Sequence, residues 1–209
     1  MADAITPRFR ALILTAAYAG MRAGELTALK RRRVNLQAGS IDVVEAMGEV
    51  GGALVTGPTK TGKRRTLRIP PFLVDVLAQQ MAEYQSLDYL FTATEGGPVR
   101  HRNFSARHFR PAVERARLSD ELRFHDLRHT CAALLIAAGC HLQEVKTYLG
   151  HSSIRVTSDR YGHLFPKTAE SIRDRLEETF RESRTDRAAD FLRTPEANGK
   201  PSSEPEPGH

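Results

Sequence analysis

The chain holds 209 residues, with 31 Lys and Arg against 25 Asp and Glu for a formal charge of +6, and 40% of it is hydrophobic. That apolar content excludes wholesale disorder, and at roughly 150 residues per domain the length makes one large domain or a domain with appendages. Two cysteines, Cys131 and Cys140, exclude a disulfide framework; the longest apolar runs are too short for a membrane span, and MADAITPRFR lacks a secretory layout, so a reducing, cytoplasmic home is expected.

Residues 8–19 (RFRALILTAAYA) predict a helix that Gly20 ends, with Pro7 placed near its first turn. A second helix over 24–30 turns Leu26 and Leu29 inward. Residues 41–46 and 53–56 are β-leaning runs around Gly48, Gly51 and Gly52, which read as a hairpin. TKTGK at 59–63 reads as a turn, and 66–69 as a third strand stopped by Pro70-Pro71. Helices resume over 72–84, 103–117, 125–138 (closed by Gly139) and 141–149 (ended by Gly150). The apolar continuation of the 125–138 helix, from Ala132 to Ala138, is expected to anchor it in the core. The fold class expected is mainly α with a small antiparallel β-sheet (α+β), a helical core carrying a basic three-stranded sheet. Residues 167–193 predict a charged helix with Ile172, Leu176 and Phe180 along one stripe, and 194–209 have the composition of a disordered tail.

Charge is unevenly placed. Residues 22–33 carry five Lys and Arg against Glu25, residues 60–68 carry five with no acid, and 100–128 carry eight Arg against four acids. One such cluster is ordinarily a solvated face; three in one domain point to a polyanion-binding surface. Eight histidines raise the idea of a metal site, but no C-x-x-C or H-E-x-x-H spacing occurs. GGALVTGPTKTGK also lacks the G-x-x-x-x-G-K-[ST] of a phosphate loop, so neither a metal nor a nucleotide cofactor is expected.

The segment HDLRHT sets His125 and Arg128 at i, i+3 on one helix face, where both can meet one ligand. Alone, that pair reads as an ordinary surface His and Arg. AYAGMRAGELTALK places Arg22 in a glycine-flanked joint between helices with Glu25 three residues on, and LGHSSIRVTSDRYGH carries His151 and Tyr161. In chain order come Arg22, a basic hairpin with Lys60, His125-x-x-Arg128, His151 and Tyr161. That constellation resembles the catalytic domain of the tyrosine recombinases, the phage-integrase family, over about residues 8–165.

The resemblance implies that Tyr161 attacks a DNA phosphate, forms a 3′-phosphotyrosyl link and expels a 5′-hydroxyl. Arg22 and Arg128 would hold the non-bridging oxygens, permanently charged forks suited to a transition state that gains charge. His125 would take the tyrosine proton, Lys60 (with Lys63 as its possible substitute) would protonate the leaving oxygen, and His151 would donate to the phosphate or share the acid–base work. Glu25 would buttress Arg22, and His129 would be a buried hydrogen-bonding group. Partners implied are double-stranded DNA and further copies of the chain, as a homo-oligomer (tetramer) on DNA, with no membrane and no small-molecule cofactor. Residues 1–166 would form the catalytic domain. Family members carry a helical core-binding domain ahead of the first arginine box, where only about seven residues precede the first helix in this chain. A truncated enzyme is therefore expected, with a catalytically unproductive DNA-binding fragment or a regulator of a full-length recombinase as the alternative.

Overall fold

The computed structural model describes residues 1–165 and, further along, 173, 176–178, 180 and 181. A 3-10 turn at Pro7–Phe9 leads into α1 (Arg10–Ala19), which Gly20 closes in the left-handed region at φ 59°. After this joint comes the short α2 (Ala23–Thr27), ending before the Lys30 expected from the leucine spacing. The chain leaves α2 there because Lys30 bridges to Tyr89 and residues 31–33 form a 3-10 turn. Leu26 and Leu29 are buried as their spacing requires.

The β segment divides in two. β1 (Val34–Asn35), β2 (Ser40–Val43) and β5 (Arg65–Arg68) form an antiparallel three-stranded sheet, with Ile41 opposite both Val34 and Leu67. β3 (Glu45–Val50) and β4 (Ala53–Pro58) form a separate two-stranded ribbon, pairing only with each other among the described residues. The apolar run at 41–46 thus belongs to two structures: Ile41 and Val43 face the core, and from Glu45 onward the chain departs into a ribbon whose main buried residue is Met47. Gly51 and Gly52 close the ribbon with φ of 56° and 80°, the two positive values a type I′ turn needs.

α3 (Pro71–Glu83) takes Pro71 as its first residue and buries Leu73 and Leu77. The helix expected at 103–117 is continuous but not uniform: α4 (His101–Phe104), a π-helical stretch (Ser105–Phe109) and α5 (Arg110–Arg115). Pro111 lacks the N–H that would bond the Arg107 carbonyl, and its ring would crowd that carbonyl; the widened turn relieves both. Phe104, Phe109 and Phe124 pack edge-on beside Phe9 and close the main core around α1.

α6 (Asp126–Ala137) buries Leu127, Arg128, Cys131 and Ala132, one stripe along its first two turns. The expectation that its apolar continuation anchors the helix holds only in part: Ala132 is buried and Leu135 and Ile136 pack half-buried on the neighbouring core, while Leu134 is 42% exposed. α7 (Leu142–Leu149) and α8 (Ile154–Tyr161) fold beside it, and Cys131, Ala132, Val145, Leu149 and Tyr161 make a small second core. Residues 1–165 form one compact unit, and the chain from Pro166 onward another. Of the helix expected at 167–193, residues 173, 176–178, 180 and 181 are helical, with Leu176 and Phe180 exposed. Ile172 and the expected tail at 194–209 lie outside the described residues. Among the described residues no helix is long and apolar enough to cross a membrane.

Candidate active site

Helix ends leave carbonyls without intrahelical partners, and here arginines take them. Arg22 follows the Gly20 joint and precedes α2. Its backbone N–H donates to Glu25 Oε2 at 2.9 Å, and its guanidinium donates to Glu25 Oε1 at 3.0 Å and to the Gly150 carbonyl, beyond the end of α7, at 3.1 Å. Arg65, the first residue of β5, grips both oxygens of Glu25 at 3.0 and 2.8 Å. Glu25 is 2% exposed. Burial pushes its carboxyl up, but the hydrogen bonds and charge of Arg65, with those of Arg22, outweigh this and hold it below the ordinary value.

Arg128, in the first turn of α6, is buried; it donates to the carbonyls of Gly20 and, at 2.6 Å, Leu149. It therefore ties the C-terminal ends of α1 and α7 together. Burial and then the charge of Arg22 depress its guanidinium to about 10, which leaves it charged at neutral pH. Of its five N–H donors two are committed to these carbonyls. Three guanidinium groups (Arg22, Arg65, Arg128) around one carboxylate (Glu25) leave the cluster with a surplus of two positive charges.

Gly150 ends α7 at φ 68°, and a Cβ there would lie 3.0 Å from Arg65 Cδ, so glycine permits the close approach. His151 follows, its Nδ1 2.8 Å from Thr157 Oγ1. Its ring lies parallel to that of Tyr161, 6.2 Å between centroids and 7° apart. Burial first, then Arg128, Arg22, Arg160 and Arg65, lower its pKa to about 4, so it is neutral at neutral pH. Tyr161 closes α8 at 3% exposure; burial raises its pKa against the opposing charges of Arg128 and Arg160. Its hydroxyl lies 2.7 Å from Nδ1 of His129.

Arg22, Arg128, His151 and Tyr161 thus converge. His125 stands one ring further out, at the N-terminal end of α6, with its imidazole edge-on to His129 at 5.1 Å. Partial burial, then His129, Arg128 and Arg160, lower its pKa. His125 forms no hydrogen bond with Tyr161; the imidazole in contact with the phenol is His129, which is half-buried rather than enclosed. Lys60 is not brought into contact with the others. It is exposed on a turn fixed by Gly62 N–H to Thr59 O (2.7 Å) and Thr59 Oγ1 to Lys63 O (2.8 Å), and makes no hydrogen bond or ion pair with another described residue.

Sequence reasoning passed over Arg65 and undervalued His129. Arg65 had a signal in strand alternation, since it shares a face with buried Leu67 two residues on. His129 had a weaker one: it follows His125 by four residues and so shares its helix face.

A family model described as the phage integrase family matches residues 2–168. The protein assigned as the prophage phiRv2 integrase of Mycobacterium tuberculosis is 35% identical over 160 residues, covering 74% of this chain and 42% of that protein. The ICEBs1 integrase of Bacillus subtilis is 29% identical over 182 residues, covering 81% of this chain and 49% of its own. The chain therefore spans less than half the length of these curated relatives. Among solved structures, the Tn1549 transposon integrase in complex with transposon right end DNA superposes with a TM-score of 0.73 at 18% identity, over 83% of this chain and 59% of that one. That likeness is one of fold.

Proposed function

The chain belongs to the phage integrase family of tyrosine recombinases, its matched region being their catalytic domain, and from that premise we propose that it cuts and rejoins double-stranded DNA through a 3′-phosphotyrosyl link to Tyr161. The observation that carries this reading is the surplus of positive charge at Arg22, Arg65, Arg128 and Glu25, held beside a tyrosine hydroxyl. A phosphodiester supplies the missing negative charge. Arg22 and Arg128 are braced by backbone carbonyls, so they meet the non-bridging oxygens without reorganising. Loss of one such donor raises the barrier by about 2.7–4 kcal/mol.

In the forward step the Tyr161 hydroxyl gives its proton to a neighbouring imidazole as its oxygen bonds to phosphorus, and the bond from phosphorus to the 5′-oxygen breaks. That oxygen leaves with a proton from Lys60, or from Lys63 on the same turn. A 5′-hydroxyl of a partner strand reverses the step, so bond energy is conserved and no nucleotide is consumed. His151 donates to the phosphate from its neutral ring, and His125 borders the same space from the end of α6. Exchange of all strands between two duplexes needs a tyrosine for each strand, which a chain with one nucleophile meets as a tetramer on DNA.

The test uses a library of nicked duplexes with randomised cores, in which cleavage next to the nick releases a short strand and traps the adduct. The wild-type chain is expected to become covalently attached to a recoverable subset, and Tyr161→Phe to give none. An adduct that survives in the Phe variant would falsify the assignment. Strong, salt-sensitive binding with no adduct on any member favours the alternative of a DNA-binding regulator.

A further inference from the structure

Resting on the strand-transfer reading above, we infer that His129, rather than His125, receives the proton of the Tyr161 hydroxyl. The two ring nitrogens of His129 have different neighbours. Nδ1 lies 2.7 Å from the Tyr161 oxygen, a full-strength hydrogen bond, while Nε2 lies 4.0 Å from Asp126 Oδ1 on the same helix face. The negative charge of Asp126 on the Nε2 side, at ion-pair rather than hydrogen-bond distance, favours the tautomer with its hydrogen there, which leaves the Nδ1 lone pair to accept the phenol O–H. Asp126 is itself fixed, accepting from the Arg123 backbone N–H at 2.8 Å. A carboxylate, an imidazole and a hydroxyl therefore lie in series, hydrogen-bonded between imidazole and hydroxyl and coupled by charge alone between carboxylate and imidazole; a base in hydrogen-bond contact is what a weak oxygen nucleophile needs.

The step balances. The Tyr161 proton passes to Nδ1 as the phenol oxygen bonds to phosphorus, and His129 becomes an imidazolium opposite Asp126. The 5′-oxygen leaves with the electron pair of the broken bond and a proton from the lysine turn. On religation His129 returns its proton to the phenol.

The groups facing His129 are Asp126, Arg123, Arg128 and His125 from α6 and its approach, and Arg160 and Tyr161 from α8. Burial, then Arg160, lower its pKa, with Asp126 opposing, so the ring is neutral at neutral pH and free to accept. Because the neutral form is required, the rate falls as pH drops through this depressed value.

The experiment measures single-turnover adduct formation between pH 5 and 8 on a nicked duplex recovered with wild-type chain. His129→Asn retains an acceptor oxygen for the phenol but not a proton sink. It is expected to fold, to bind that duplex and to cleave on the order of a hundredfold more slowly, with the acid limb of the pH profile gone. His125→Asn is expected to cleave more slowly with the acid limb kept. Nitrogen-15 spectra of the free chain give a second readout: Tyr161→Phe removes the donor to Nδ1, so the His129 pKa is expected to rise while that of His125 stays. The inference is overturned if His129→Asn keeps its limb and most of its rate, or if the limb disappears with His125 instead. Absence of any wild-type adduct overturns the strand-transfer reading itself, an outcome separable from both.

Discussion

Glu25 is the one carboxylate inside a cluster of arginines, and its removal tests whether that cluster is built or incidental. In Glu25→Gln the amide can still accept from one guanidinium, but the bidentate grip of Arg65 and the charge that balances Arg22 and Arg128 are gone. The Glu25 side chain is 1% exposed, Arg65 12% and Arg22 20%, so the pair is buried on the acid side and thinly solvated on the other. Breaking one side of a buried pair costs about 3–5 kcal/mol, and the residual water around the arginines places this case near about 3 kcal/mol. At 2–4 °C per kcal/mol for a chain of this size, the midpoint of thermal unfolding drops by roughly 6–12 °C. Urea unfolding of wild type, Glu25→Gln, Arg65→Met and the double variant measures the coupling; with unchanged slopes, the double variant is expected to be less destabilised than the sum. DNA affinity at low salt is expected not to fall, since the cluster becomes more positive, while cleavage slows because Arg22 has lost its brace. A Gln variant within about 1 kcal/mol of wild type, or strictly additive singles, refutes the reasoning.

Gly20→Ala is expected to cost about 2–4 kcal/mol in urea unfolding, from left-handed strain and overpacking; the new Cβ would lie 2.6 Å from Leu149 Cδ2 and 2.9 Å from Cys131 Sγ, and an unchanged midpoint contradicts this. Acid is expected to destabilise the fold. His151 has a pKa of about 4 in place of 6.5, so below 6.5 the unfolded chain takes up protons the folded chain refuses, and stability present above 6.5 is lost towards pH 4. His101, His125 and His129 are lowered too and act in the same sense, and Glu25, also lowered, extends the loss below 4.5. His151→Asn should shrink the difference between urea midpoints at pH 5 and 7, and an unaltered difference speaks against the assignment. Removing Lys60, Lys63 and Arg64 together is expected to reduce the slope of log affinity against log salt by up to about 3, with a slope equal to wild type excluding the turn from the DNA contact.

Local order in this chain was legible where one residue decides it. Gly20, Gly139 and Gly150 stop helices at positive φ, and Gly51-Gly52 turns the ribbon. What escaped was set by partners remote in sequence. The run at 41–46 alternates well enough for one strand, yet only the pairing of Ile41 with Leu67 and of Ala46 with Gly57 shows that it serves two sheets. The apolar end of α6 reads as core by composition, and only its neighbours decide that Leu134 faces outward. At the site, residue types and order pointed to Arg22, Arg128, His151 and Tyr161, but not to which imidazole meets the phenol. His125 and His129 are one helical turn apart, and the choice between them follows from where α8 lies against α6.

That same dependence on remote partners makes Arg128→Lys an informative substitution. Arg128 spans two carbonyls, Gly20 O at the end of α1 and Leu149 O at the end of α7, both at the negative ends of helix dipoles. A lysine keeps the charge, but its ammonium is one point and cannot reach both ends of that span. One helix end is left with a buried, unpaired carbonyl, which costs about 1–3 kcal/mol. The Gly20 and Gly150 joints, which also seat Arg22, loosen with it. Stability is therefore expected to fall by that amount in urea unfolding, while cleavage falls by a hundredfold or more, the scale of one lost preorganised donor. If charge alone mattered at this position, lysine would restore both quantities to within a few-fold of wild type, and the bracing of the two helix ends would carry no weight in the chemistry.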